Sequence, residues 1–281
     1  MRREAKVSVQ AWESDGILLE HYAYTAGAVE PLPKHAHVEY PLGLSYDCQG
    51  EYTYRGARHA IPKGSLSIIH SGEVHAPSDR TSLPHPAHFA MAHIDPSCFQ
   101  AIAAEMGEKP TSLPFFPTVH ISDPQLNRLF LDLQAVIDKH ASQLEQETAL
   151  WDFLTHLIAR HAVNRPSIQP VQSAHTAIKR ACDYLHAHCV EDVSLQDLAA
   201  IANLSRFHFC RVFSREVGVS PSTYQTQLRI AQARRLLAQG LPIVTVAATT
   251  GFYDQSHFGR TFKRQVGTTP SNYVSQTAIF S

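Results

Sequence analysis

Two groups of residues in this 281-residue chain have the types and spacing to do chemistry. Arg206, Cys210 and Ser214 recur every four residues, with Arg211 beside them. Gln255, Gly259 and Lys263 repeat that spacing 49 positions later, with Arg260 beside them. Four-residue spacing puts each trio on one helix face. Arg and Gln pair in bidentate fashion with guanine and adenine edges, so the chemistry indicated is major-groove reading of double-stranded DNA. The second group is His35, His37, Glu39 and His75. On a strand, positions 35, 37 and 39 lie on one face. Such a face can line a ligand pocket, and imidazole also suits zinc, copper, iron and nickel alike.

The elements that must hold the first group are legible in a duplication. Residues 204–224, LSRFHFCRVFSREVGVSPSTY, align without a gap to residues 253–273, YDQSHFGRTFKRQVGTTPSNY, with ten of 21 positions identical. In the first copy Phe209, Val212, Phe213, Glu216 and Val217 follow helical spacing. Gly218 stands where a helix end tolerates positive φ, and Ser220-Pro221 restarts a helix as N-cap and first residue. The second copy repeats this with Phe258, Thr261, Phe262, Val266, Gly267, Thr269 and Pro270. A short helix precedes each copy, Leu195 to Ala202 capped by Ser194, and Ile243 to Thr250 ending at Gly251. Two helix-turn-helix units follow. His208 and His257, at one buried-side position of both copies, read as structural.

These motifs resemble the AraC/XylS family of transcription regulators over about residues 175–275, through Ala247 to Lys263 and Gly267 to Tyr273. The resemblance implies two helix-turn-helix units joined by a long helix, here Pro221 to Gln239 with Tyr224, Leu228, Ala231, Leu236 and Leu237 as apolar positions. It places base-contacting positions at Arg206, Phe207, Cys210 and Arg211 in the first recognition helix. In the second they fall at Gln255, Ser256, Gly259 and Arg260. It further implies a homodimer, contact with RNA polymerase, and activation rather than repression.

Residues 5 to about 95 read as short strands broken by Gly and Pro turns, which indicates a small barrel or sandwich. The strands expected are 17–24, 37–45, 50–54, 58–61, 65–70 and 88–93. Two segments resemble the cupin barrel and the AraC-type sensor domain built on it, His35 to Tyr40 and Gly64 to His75. The second keeps the cupin spacing except that His70 stands in place of a proline. Enzymatic cupins place a Glu four or five residues after the second His, where this chain has Pro41 and Leu42. A small-molecule pocket at His35, His37, Glu39 and His75 therefore ranks first, a structural role second, and a metal on His35, His37 and His75 third. Two amphipathic helices follow, one opened by Asp123-Pro124 and one from about Leu144 to His161; the resemblance adds dimerisation to their packing role.

The fold class expected is α+β and multidomain, with a cupin-like barrel and flanking helices over 1–163, a linker over 164–174, and an all-α DNA-binding domain over 175–281. Charge supports the division: residues 171–281 carry 11 Lys+Arg against 6 Asp+Glu, while residues 1–170 carry 13 against 19. A basic C-terminal part suits phosphate. The first residues have no apolar signal core, no run approaches a membrane span, and five cysteines lack a C-x-x-C pair, so a cytoplasmic protein with reduced thiols is expected. The whole reads as a regulator controlled by a small-molecule effector, with no catalytic residues and no cofactor. The alternatives are a metal-dependent cupin enzyme with a DNA-binding tail, and a regulator whose barrel only dimerises.

Overall fold

The computed structural model describes residues 4–14, 16–77, 80–107, 112–164 and 174–277. The expected linker thus lies, apart from its end residues, outside the described residues. Two compact units form. One comprises Met1–Ile137 and Phe153–Ile168; the other comprises Asp138–Asp152 and Gln169–Ser281.

The first unit contains β1 (Val7–Ser14), β2 (Ile17–Tyr24), β3 (Gly27–Ala28), β4 (Tyr40–Ser45), β5 (Gly50–Tyr54), β6 (Ala57–Ile61), β7 (Leu66–Ile68), β8 (His75–Pro77), β9 (Ser82–Leu83), β10 (Ala87–Ile94), α1 (Pro96–Met106), β11 (His120–Ile121), and most of α2 (Pro124–Asp138). Helix α3 (Gln143–His161) contributes its second half. A six-stranded sheet runs β1-β2-β10-β4-β7-β11 and a three-stranded sheet runs β6-β5-β8, all pairs antiparallel. This is the cupin-like layer of the fold. Its strands bury one face by alternation: on β10, Ala90, Ala92 and Ile94 are buried while Phe89, Met91 and His93 take the other face.

One expected strand begins late. β4 starts at Tyr40, not residue 37, and His35 makes only an isolated bridge to His75, with N–H to carbonyl bonds of 2.9 Å in both directions. The carbonyls of the intervening residues are diverted: Gly72 N–H donates to His37 at 2.7 Å and the Ser71 hydroxyl donates to Val38. His35, His37 and Glu39 therefore do not share a strand face. Helix α1 was not anticipated, although Asp95-Pro96 carries its signal; the Asp95 carboxylate accepts from Ser97 N–H at 2.7 Å, with Pro96 in the first turn.

His70, the departure from the cupin spacing, is buried and tightly bonded. Its Nε2 accepts from Phe116 N–H at 2.9 Å, so the ring proton belongs on Nδ1, 3.0 Å from the Tyr54 hydroxyl oxygen. Burial and then the neighbouring Arg55 charge push His70 down to about 4, against the opposing pull of Glu73.

The second unit holds α4 (His175–His188), α5 (Leu195–Ala202), α6 (Arg206–Val217), α7 (Pro221–Ala238), α8 (Ile243–Thr249), α9 (Gln255–Val266) and α10 (Pro270–Thr277). The duplication is carried in its packing. Phe213 meets Tyr224 at 5.7 Å and 73°, and their counterparts Phe262 and Tyr273 meet at 5.4 Å and 72°. Gly218 and Gly267 end α6 and α9 at φ +83° and +87°. Of the apolar positions expected on the long helix α7, Leu237 is buried and Tyr224 and Leu236 pack against the core, but the buried stripe is wider and partly polar. Ser222, Thr226, Arg229, Ile230, Ala233 and Leu237 are buried, while Ala231 is exposed. Arg229 donates from Nε to Cys189 O at 2.6 Å and from Nη2 to Glu191 O at 2.9 Å, so a charged side chain holds a core position that apolar patterning overlooks.

Two expectations follow. A histidine whose folded pKa lies below its unfolded value of about 6.5 stabilises the fold at higher pH and loses that contribution as pH falls toward about 4. Amide protection in β4 and β7, corrected for intrinsic exchange, will drop over that window by up to about 3 kcal/mol, and His70→Gln will flatten the drop. Gly251 sits at φ +76°, and a Cβ there would lie 2.5 Å from Val190 O. Gly251→Ala will cost more than about 1 kcal/mol in thermal unfolding, a loss that the equally left-handed but open Gly240 will show only in part.

Candidate nucleic-acid interface and ligand cavity

Helices α6 and α9 start on side-chain caps. Ser205 Oγ accepts from His208 N–H at 3.2 Å, and Asp254 Oδ1 accepts from His257 N–H at 2.6 Å. Each buries an aromatic stripe, Phe209, Val212 and Phe213 in α6 and Phe258, Thr261 and Phe262 in α9. What remains outside differs between them. On α9, Gln255, Ser256 and Arg260 are exposed, and a Cβ at Gly259 would meet nothing within 4 Å. Lys263, on the expected face by its four-residue spacing, and Arg264, which the spacing did not single out, extend that exposed basic face.

On α6 the expected face is partly taken up by the protein itself. Phe207, expected among the base-contacting positions, is 2% exposed: its apolar ring finds the core, whereas Ser256 at the matching position stays out. Arg206, Cys210 and Arg211 are half-buried. The Arg206 guanidinium lies 4.6 Å from the Trp151 ring centroid, and Arg211 lies 5.1 Å from that of Phe207. Trp151 belongs to the Asp138–Asp152 segment, which is anchored in this unit. Glu147 Oε2 accepts from Leu195 N–H at 2.6 Å, at the N-terminus of α5, and Gln143 N–H donates to Asp192 at 3.2 Å. No apolar pattern in the sequence signals this pairing.

In the first unit a cavity of about 410 Å³ opens between the two sheets. Its lining includes His35, His37, His75 and His93. His37 is the hub, with ring centroids 4.9 Å from His35, 5.3 Å from His75 and 4.8 Å from His93. Glu39 does not line the cavity; it groups instead with His37 and His93, their ligand atoms within 4.8 Å of one another. His35 Nδ1 lies 2.8 Å from Pro33 O and His75 Nδ1 lies 3.3 Å from Glu73 O. Donation to those carbonyls leaves each Nε2 as a lone-pair acceptor. Burial lowers the pKa of both His37 and His75, and neighbouring imidazoles lower them further, which favours neutral rings. In the same lining Tyr22 and Phe89 stack at 4.9 Å and 10°, and Glu20 accepts from the Tyr22 hydroxyl at 2.9 Å. His93 and Glu20 were not foreseen. Their signal lay in strand alternation, since Glu20, Tyr22 and Tyr24 share one face of β2, as Phe89, Met91 and His93 do on β10.

Comparison with known proteins gives consistent descriptions of both units. Residues 19–154 match the family model of the AraC-like ligand binding domain, and residues 198–276 match that of a helix-turn-helix domain. The uncharacterized HTH-type transcriptional regulator YbfI of Bacillus subtilis is 28% identical over 85% of this chain and 85% of its own. The arabinose operon regulatory protein of Salmonella typhimurium is 33% identical over 35% of each chain. A crystal structure of a transcriptional regulator from Chromobacterium violaceum with an AraC-type DNA-binding domain is 31% identical, covering 37% of this chain and 93% of its own, at a TM-score of 0.35. Among the described residues no helix is long and apolar enough to cross a membrane.

The exposure of Arg260 and the packing of Arg206 separate two substitutions. Arg260→Ala will weaken specific DNA binding by about 1–3 kcal/mol and relax one base position, leaving the melting temperature unchanged. Arg206→Ala will in addition cost about 0.5–1 kcal/mol of stability through the lost Trp151 contact. Footprinting and calorimetry on the two variants check both parts.

Proposed function

Since the chain belongs to the AraC-type transcription regulators, we propose that a small molecule held between the two sheets of its first unit controls how α6 and α9 engage promoter DNA. The observation that carries this reading is the cavity of about 410 Å³ whose lining combines four histidines with the Tyr22–Phe89 stack. The imidazoles of His37 and His75 and the Glu20 carboxylate accept hydrogen bonds, and the stacked rings offer a flat apolar wall. An effector with a planar apolar body and hydrogen-bond donors at one end matches both. His35, His37 and His75 bind it, with Glu39 behind His37.

The DNA contacts of this reading are Arg206, Cys210 and Arg211 on α6 and Gln255, Ser256, Gly259 and Arg260 on α9. The two helices enter successive major-groove segments about one helical turn apart. Phosphate contacts supply most of the affinity and base contacts the register. The protein acts as a cytoplasmic homodimer that recruits RNA polymerase as an activator, without a resident cofactor. Effector and DNA are coupled through differential contacts in two states, reciprocally.

A second reading has a specific observation behind it. The ligand atoms of His35, His37 and His75 lie within 4.8 Å of one another, a donor set that fits a transition-metal ion, which the effector would then complete. Metal analysis of untagged protein and of His37→Ala separates the two readings.

The test of the main reading is a thermal-shift panel of planar phenols and aromatic amines on the untagged full chain, followed by footprinting. The expected outcome is a compound that raises the melting temperature, alters the footprint, and loses both effects in His37→Ala and Tyr22→Ala. A footprint indifferent to every stabilising compound, or shifts that survive both substitutions, would overturn it.

A further inference from the structure

A third cluster lies away from the cavity, where the start of α2 meets the end of α3. Asp123 caps α2: its Oδ1 accepts from Gln125 N–H at 2.9 Å and from Leu126 N–H at 3.1 Å. Its second oxygen is left to α3. His156 Nε2 lies 2.9 Å and His161 Nε2 3.0 Å from Oδ2. All three ligand atoms fall within 4.8 Å of one another. The side chains are 19%, 13% and 24% exposed for Asp123, His156 and His161, shielded but within reach of solvent.

We propose that Asp123, His156 and His161 form a binding site for a divalent transition ion, zinc in the first instance, with water in the fourth position. Two imidazoles and a carboxylate are a zinc donor set. Tetrahedral ligands at about 2.0–2.1 Å from zinc stand about 3.3 Å apart, so an ion is admitted once each ring withdraws from Oδ2 by a few tenths of an ångström and the two ring nitrogens, within 4.8 Å of each other, settle at that spacing. The carboxylate is already oriented by its two backbone donors, the kind of outer-shell support that ligating groups keep. It is also ionised: burial alone would raise its pKa, but the two imidazoles and the two backbone bonds outweigh burial and hold it well below the usual carboxylate range. Without an ion, two ring protons occupy the space between the nitrogens and Oδ2. Zinc binding moves each of those protons to the ring's Nδ1, or to solvent where Nδ1 already carries one, and the freed Nε2 lone pairs close with Oδ2 on the metal.

The site joins the cap of one helix to the last turn of another, just before residue 164. Its consequence is zinc-dependent stability, separate from the effector cavity. The experiment uses untagged full-length protein stripped with a chelator and titrated with zinc by calorimetry, alongside His161→Gln, Asp123→Asn and a control, His120→Gln, on the neighbouring exposed residue. Wild type and the control are expected to take up one more equivalent of tight zinc than either site variant, and to gain a zinc-dependent rise in melting temperature that the variants lack. Cobalt substitution in wild type is expected to give the strong visible bands of a four-coordinate site, absent in His161→Gln. His161 is partly exposed at a helix end, so this variant keeps its fold, and circular dichroism verifies that. Equal zinc stoichiometry in wild type and both site variants would mean that the cluster is only a hydrogen-bonded triad, and would sink the proposal. Any zinc bound at the histidines of the cavity persists in the site variants, and so is read out separately.

Discussion

The placement of the two recognition helices depends on one buried cation. Arg229 projects from the middle of α7 and is 3% exposed, with no carboxylate bonded to it among the described residues. Its guanidinium is satisfied by the backbone carbonyls of Cys189 and Glu191, just past α4. The turn at Gly251 is close by, where even a methyl group would come within 3.1 Å of the guanidinium. A single side chain thus ties the segment that leads into the first helix-turn-helix to α7 and to the turn of the second. The helix that carries it cannot rotate without leaving a charge unsolvated, and a buried group of that kind costs several kcal/mol when its partners are lost. The angular relation of α6 and α9 is set there rather than at their own surfaces.

With that frame held, the two helices differ in what they present. α9 offers an open polar face from Gln255 to Arg264. α6 is packed beneath Trp151, and the segment bearing Trp151 is pinned by Glu147 at the N-terminus of α5. α3 continues from that segment into the unit that holds the cavity. A continuous helix of 19 residues therefore belongs to both units, and its first half touches a residue proposed to read DNA.

Much of the DNA-binding part was legible in the sequence because its signals are local. Ser205, Ser220, Gly218 and Gly267 start and stop helices through bonds that reach no further than four residues, and the duplicated Phe and Tyr positions reproduce the same ring pair twice. Apolar spacing misled where polar groups occupy the core: the buried stripe of α7 contains Ser222, Thr226 and Arg229, and Phe207 sits inside although its counterpart is a serine. In the first unit, turn residues delimited β2, β5 and β10, but the strand of His37 was expected three residues too early, because a turn from residues 71–72 captures the carbonyls a ladder would have used.

By itself, then, the sequence determined the element types, the duplicated reading unit and the regulator class, since caps, periods and repeats depend on neighbours along the chain. Only the tertiary structure decided which distant residues meet. His37 finds His93 through the register that sets β10 against β2 and β4. Arg206 finds Trp151, and Asp123 finds His156 and His161, through helix packing. Such meetings join residues 33 to 56 positions apart, and no local period encodes them: they follow from how whole faces are buried, a property of the folded chain rather than of any segment.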